Sequence, residues 1–167
     1  MRKLIFAVLV TSMFCLSAFA ADNESKASVF AGYSYTRFDG GLNSNGFTAE
    51  FAGNVSKSFS LVGNFGGAYN STAGVTISDY TYLFGPRYVA HLGRVDVFGH
   101  GLFGGIDSRA AGVSQSALAM GFGGGFNVAM GSGKKMWRLA EVDYLPTHFG
   151  GVYQKNIRVT TGLQINF

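Results

Sequence analysis

The stretch that decides the fold is Asn156-Ile157-Arg158-Val159-Thr160-Thr161-Gly162-Leu163-Gln164-Ile165-Asn166-Phe167. Ile157, Val159, Thr161, Leu163, Ile165 and Phe167 fall on one side, and Asn156, Arg158, Thr160, Gly162, Gln164 and Asn166 on the other. Successive side chains of an extended chain point to opposite faces, so an apolar set and a polar set that alternate strictly mark a β-strand. A helix would scatter both sets around its circumference.

The same division recurs upstream, with one face bulky and the other small or polar. Leu118, Met120, Phe122 and Phe126 oppose Ala117, Ala119, Gly121, Gly123, Gly125 and Asn127. Tyr80, Tyr82, Phe84, Pro86 and Tyr88 oppose Thr81, Leu83, Gly85, Arg87 and Val89, and Phe59, Leu61, Phe65 and Tyr69 oppose Ser60, Val62, Asn64, Gly66 and Ala68. Phe47, Ala49, Phe51 and Val55 oppose Thr48, Glu50, Ala52 and Asn54, and Val29, Ala31, Tyr33 and Tyr35 oppose Ser28, Gly32, Ser34 and Thr36. Segments 95–106 and 136–146 also read as strands, but their alternation does not settle their facing. The total is eight strands. Tight turns are expected at 56–58, 91–94 and 131–135, and longer loops rich in Gly, Asn, Asp and Ser at 39–45, 70–76, 107–114 and 147–155.

Composition agrees with an all-β chain. Of 167 residues, 47% are apolar, 15% aromatic and only 13% charged, with 25 glycines and two prolines. High apolar content and small net charge exclude a disordered chain, and the lack of a Gly-X-Y period excludes collagen. Glycine at this density would weaken helices almost everywhere, by about 1 kcal/mol at each interior position relative to alanine.

The first residues read as an export signal. Arg2 and Lys3 precede an apolar run from Leu4 to Val10 that resumes at Met13, and Ala18-Phe19-Ala20 is a small-x-small cleavage site. The expected division is a signal peptide over 1–20 and one domain over 21–167. Cys15, the only cysteine, lies inside that signal, so the mature domain would hold no disulfide, thiolate metal site or cysteine nucleophile. Without Arg2 and Lys3, eleven basic residues face nine acidic ones, and no Lys/Arg run exceeds Lys134-Lys135. Nucleic acid is not an expected partner.

The polar faces carry Gly, Ala, Ser, Thr and Asn but few lysines or glutamates, which a sheet facing water normally carries. The bulky faces carry aliphatics, with aromatics crowded toward strand ends: Tyr33, Tyr35, Tyr69, Tyr80, Tyr82 and Tyr144 at one level, Phe59, Tyr88 and Phe167 at the other. Two aromatic belts flanking an aliphatic band describe a barrel that crosses lipid, and closure leaves no strand edge in a solvent that cannot hydrogen-bond it. The fold expected is a closed eight-stranded antiparallel up-and-down transmembrane β-barrel. Glu50, Arg87, Glu141, Asp143 and Arg158 would then point into a narrow interior and pair there, with His100 a further candidate.

With its signal, eight strands and the closing run through Leu163, Ile165 and Phe167, the chain resembles the small eight-stranded outer-membrane β-barrels of Gram-negative bacteria, the group of OmpA-type transmembrane domains, OmpX and the opacity proteins. That resemblance implies outer-membrane lipid and lipopolysaccharide as surroundings. It also implies that the barrel-assembly machinery reads the C-terminal Leu163, Ile165 and Phe167, and that the barrel is a monomer. The mixed-sign interior resembles the salt-bridge network of OmpA-type barrels.

Enzymatic and cofactor chemistry find little support. Gly99-His100-Gly101-Leu102-Phe103-Gly104 matches G-x-G-x-x-G, but no helix pattern follows it, and glycines of a strand facing a crowded interior account for it better. His91, His100 and His148 lack metal-ligand spacing, and no His-x-Ser pair suggests a hydrolase, so no catalytic, cofactor or metal residue is expected. Lys134, Lys135 and Arg138 read as anchors reaching phosphate headgroups. The function expected is a non-enzymatic structural or surface component with a polar, plugged interior. The alternatives are a narrow gated solute channel and, behind it, a soluble periplasmic carrier.

Overall fold

The computed structural model describes residues 26–72, 75–110, 112–131, 134–149 and 151–167. The signal peptide expected over 1–20, with Ala18 and Ala20, lies outside the described residues. Eight strands follow one another: β1 (Ala27–Arg37), β2 (Asn43–Asn54), β3 (Phe59–Thr72), β4 (Val75–Leu92), β5 (Val95–Ala110), β6 (Val113–Met130), β7 (Lys135–Phe149) and β8 (Val152–Asn166). Each pairs antiparallel with the next, and β8 returns to β1, so the sheet closes into a barrel. The seam runs from Ser28 opposite Asn166 to Arg37 opposite Ile157. At its end Phe167 N donates to Ala27 O at 2.8 Å, and Lys26 N donates to Phe167 O.

Alternation becomes facing. Along β8, Ile157, Val159, Leu163 and Ile165 are exposed on the outside while Asn156, Arg158, Thr160 and Gln164 are buried within. The exterior is a band of exposed Val, Leu, Ile, Phe and Tyr, with Phe84 at 56% and Leu163 at 57% exposure. Exposed bulk on this scale, around a barrel whose buried groups are largely polar, is the reverse of a water-soluble sheet. On the outer face of β2, β3 and β4, Phe47, Phe65, Tyr69 and Tyr80 pack ring against ring, with centroids 5.9–6.5 Å apart.

The connections differ from expectation. The β3–β4, β5–β6 and β7–β8 strands continue through most of the residues read as longer loops, leaving only 73–74, 111–112 and 150–151 between them. β4 and β6 each reach 18 residues, well beyond the 9–11 that a tilted lipid span requires. Past the lipid both faces of a strand meet water, so its residues are polar on both sides and imitate loop composition. The opposite end keeps tight turns; at β4–β5, Gly93 takes the left-handed conformation (φ 71°) that a two-residue turn needs.

The two ambiguous segments resolve for two reasons. On β5, Phe98, Leu102 and Ile106 are buried while Phe103 is exposed, so both faces carry bulk. On β7 the register shifts between Arg138 and Glu141, where Leu139 and Ala140 together oppose Thr161 of β8. This β-bulge inserts one residue and reverses the facing, so Arg138 and Glu141 both point inward. Thr161 Oγ1 donates to Arg138 O at 2.9 Å beside the bulge.

The interior is less uniformly polar than the sequence reading held. Ala52, Val62, Leu83, Leu102, Ile106, Ala119 and Leu145, contributed by β2 to β7, form a buried apolar cluster in the lumen. Nor do Gly99 and Gly101 face inward: both lie on the outer surface, Gly101 beside the Phe122 ring.

Candidate functional site

The densest chemistry lies inside the barrel, where three arginines and three carboxylates are buried together. Glu50 (β2) accepts from Arg87 (β4) through both oxygens, at 3.0 and 2.8 Å, and from Asn64 Nδ2 (β3) at 2.9 Å. Asp143 (β7) accepts from Arg158 (β8) at 2.7 and 3.1 Å. Arg158 also donates to Asn64 Oδ1 at 3.1 Å, which ties the two ion pairs together. Glu50, Arg87, Asp143 and Arg158 therefore share one network, which Glu141 joins through Arg138.

Arg138 is its centre, and this corrects the expectation of a headgroup anchor. Its side chain is fully buried. Nη1 donates to Glu50 Oε2 at 2.8 Å and to Glu141 Oε2, Nη2 donates to Gln164 Oε1 at 3.1 Å, and Nε donates to Asn127 Oδ1 at 3.2 Å. The guanidinium stacks 3.8 Å over the Phe30 ring and 4.7 Å from Phe98, which also receives Arg87 at 4.4 Å. Planar, permanently charged and equipped with a fork of donors, arginine is the side chain suited to bridging two carboxylates and two amides at once.

His100 joins the network through β5. Its Nδ1 lies 3.2 Å from Arg87 Nη2 and its Nε2 lies 2.8 Å from Asp143 Oδ1. A guanidinium nitrogen can only donate, so Nδ1 accepts and Nε2–H donates to Asp143. Three guanidiniums thus stand among three carboxyl groups, with the imidazole bridging Arg87 and Asp143. Mutual pairing of this kind is what keeps charge tolerable inside a protein.

Glycine makes the room. Gly123 sits opposite Asp143, and a Cβ there would collide with the Asp143 carboxylate and stand 2.8 Å from its Cα. A Cβ at Gly66 would stand 2.9 Å from Arg158 Nη1.

His100, Glu141 and Asp143 bring a nitrogen and two carboxylate oxygens within 4.8 Å of one another, a spacing a metal ion could use. Both carboxylates already bind guanidiniums, however, Glu141 through one oxygen and Asp143 through the oxygen that does not meet His100. Glu141 Oε1 has no hydrogen-bond partner, but a divalent ion there would enter a site crowded by the guanidiniums of Arg87, Arg138 and Arg158. The arrangement favours a closed polar core over a metal centre. Next to it lies a small cavity of about 20 Å³, lined by Ser34, Thr36, Asp79, Thr81, Asn156 and Arg158 among others, with room for no more than a water or two.

No known family pattern and no curated protein sequence matches the chain. Solved structures do. Neisserial surface protein A aligns with TM-score 0.65 at 12% identity over 87% of this chain and 100% of its own. Ail, the attachment invasion locus protein of Yersinia pestis, crystallised with the heparin analogue sucrose octasulfate, aligns with TM-score 0.58 at 15% identity over 86% of this chain and 100% of its own. The outer membrane protein OprG of Pseudomonas aeruginosa aligns with TM-score 0.57 at 7% identity over 87% of this chain and 97% of its own. The fold is that of the small outer-membrane β-barrels.

Proposed function

We propose that this chain is a monomeric, integral outer-membrane protein of Gram-negative bacteria that acts without catalysis, as a structural or surface component with its lumen closed to solutes. The observation that carries the reading is the interior itself. The Arg138 network fills one part of the lumen, and the Val62, Leu83, Leu102 and Leu145 cluster occupies another. A water-filled path would have to break charged hydrogen bonds and wet an apolar wall together.

The surroundings of such a barrel are outer-membrane phospholipid and lipopolysaccharide, and its assembly would depend on machinery reading Leu163, Ile165 and Phe167. Ail is known in complex with a sulfated heparin analogue. At the end of this chain bearing the β1–β2, β3–β4, β5–β6 and β7–β8 connections, Arg37, Arg109 and Lys155 are accompanied by Asp39 and Asp107, a small charge excess that does not favour a polyanion ligand there.

Fractionation tests the location. The protein should remain with outer membranes and should migrate differently on gels before and after boiling; a soluble protein with a single mobility would refute the reading. Planar-bilayer recording tests the closed lumen. A narrow gated channel is the second reading, favoured by the small lumen cavity whose lining includes Asp79 and Arg158. Absence of conductance from both the native barrel and an Arg87→Glu variant would exclude it, while steady single-channel currents from the native barrel would replace the closed-lumen reading.

A further inference from the structure

The charges that take no part in the lumen network are distributed unequally between the two ends of the barrel. The end bearing the β1–β2, β3–β4, β5–β6 and β7–β8 connections is nearly balanced: Arg37, Arg109 and Lys155 are accompanied by Asp39 and Asp107, and Asp79 is buried below them. At the opposite end, among the described residues, Lys26, Lys57, Arg94, Lys134 and Lys135 are all exposed, and Asp96 is the acid that accompanies them. Asp96 is engaged, its Oδ1 lying 2.7 Å from His91 Nδ1. Asp22 and Glu24 precede the described residues.

These cations form a ring rather than a patch. Lys26 stands at the β1–β8 seam, Lys57 in the β2–β3 turn, Arg94 in the β4–β5 turn, and Lys134 and Lys135 at the β6–β7 turn. Every station around the circumference at this end therefore carries at least one. Exposed aromatic residues lie just inside the ring: Phe59 and Tyr88 near the first two turns, and Trp137 two residues along β7 from Lys135 on the same outward face.

We propose that this ring is a binding collar for anionic phospholipid headgroups, which gives the barrel a preferred lipid at the end where Lys26 meets Phe167. The proposal deepens the membrane reading above and rests on it. A docked protein would engage one sector of the circumference. A partner meeting all four stations must itself be annular, and the surrounding leaflet is. Long basic side chains beyond an aromatic belt reach the phosphate level, and each cation near such a surface raises the affinity for anionic lipid about fivefold at low salt. The nearly balanced opposite end has no equivalent.

Trp137 is the only tryptophan and reports on this collar directly. The full chain, folded into phosphatidylcholine vesicles, is compared with equal fractions of brominated phosphatidylglycerol or brominated phosphatidylcholine as quencher. We expect the anionic lipid to be favoured about fivefold at low salt. The preference should fall toward unity at 0.5 M salt, where the Debye length is only about 4 Å, and in the Lys134→Glu/Lys135→Glu double variant. Equal quenching by the two lipids, or a preference unmoved by salt, would overturn the collar; the salt arm holds even if the variant does not fold. Quenching by neither lipid would mean that the barrel does not insert, which defeats the membrane reading itself.

Discussion

Arg138 Nη1 lies 2.8 Å from Glu50 Oε2, although 88 residues of chain separate the two. The contact joins β7 to β2 across the lumen rather than between neighbouring strands, so it braces the barrel in a direction that backbone pairing does not. It exists because the β7 bulge turns Arg138 inward.

Replacing Arg138 with Met should therefore be costly. It removes the donor shared by Glu50 and Glu141 and leaves buried carboxylates short of a partner, a change that typically destabilises by about 3–5 kcal/mol. Urea unfolding in lipid vesicles should show a clear drop in midpoint for Arg138→Met. Adding Glu141→Gln should recover part of the loss, because one uncompensated charge is then gone. Equal stability of Arg138→Met and the native barrel would show that the network contributes nothing.

Much of this architecture is legible in the sequence, and the parts that are not share a physical cause. On β8 one face meets lipid and the other a narrow interior, so Ile157 to Phe167 alternate cleanly with Asn156 to Asn166 and the strand reads directly. The pattern fails where the assumption of two chemically distinct faces fails. On β5, Phe98 points inward to receive two guanidiniums while Phe103 points out, and bulk ceases to discriminate. On β7 a bulge breaks the two-residue period, which no count from the Lys134-Lys135 turn could anticipate, and so Arg138 reads as a surface anchor. Phe30 differs: the alternation of β1 itself places it inward with Ser28, Ser34 and Thr36, and only its bulk, unlike theirs, disguises the inner face. Glu50, Arg87, Glu141, Asp143 and Arg158 are traceable as charges on otherwise small faces, but which pairs with which depends on a closure that no local pattern encodes.

Glycine substitutions offer a matched test of the interior. At Gly123 a Cβ would meet the Asp143 carboxylate and the neighbouring strand, whereas at Gly99, outside, it would find nothing nearer than 3.7 Å. Gly123→Ala should lower stability by about 1–3 kcal/mol, the usual range for overpacking. Gly99→Ala should leave it unchanged or slightly raised, since alanine restricts the unfolded chain. Paired urea titrations measure both, and a larger loss at Gly99 would invert the assigned faces.

The His100 tautomer is equally open to measurement. Because Arg87 Nη2 cannot accept, the ring should carry its proton on Nε2 and leave Nδ1 bare. Nitrogen-15 spectra of histidine-labelled barrel should show one protonated and one unprotonated ring nitrogen for His100 at neutral pH, with the proton on the side of Asp143. In Arg87→Met the constraint on Nδ1 is lifted, and the opposite tautomer should become populated. A doubly protonated ring in the native barrel would mean that Nδ1 does not accept from Arg87.

Phe167 connects the seam to assembly. Its backbone bonds to Lys26 and Ala27 close the last rung between β8 and β1, and its ring remains exposed on the outer surface. Two roles are separable by where folding takes place. If the residue only completes the seam, removing it should weaken the barrel to the same modest degree in cells and in detergent. If it belongs, with Leu163 and Ile165, to a signal read during assembly, removal should abolish most of the heat-modifiable band in cell envelopes, while purified protein lacking Phe167 still refolds in detergent with little loss. We expect the second pattern, and gel-shift assays on both preparations check it. Normal envelope assembly without Phe167 would leave the seam as the residue's whole contribution.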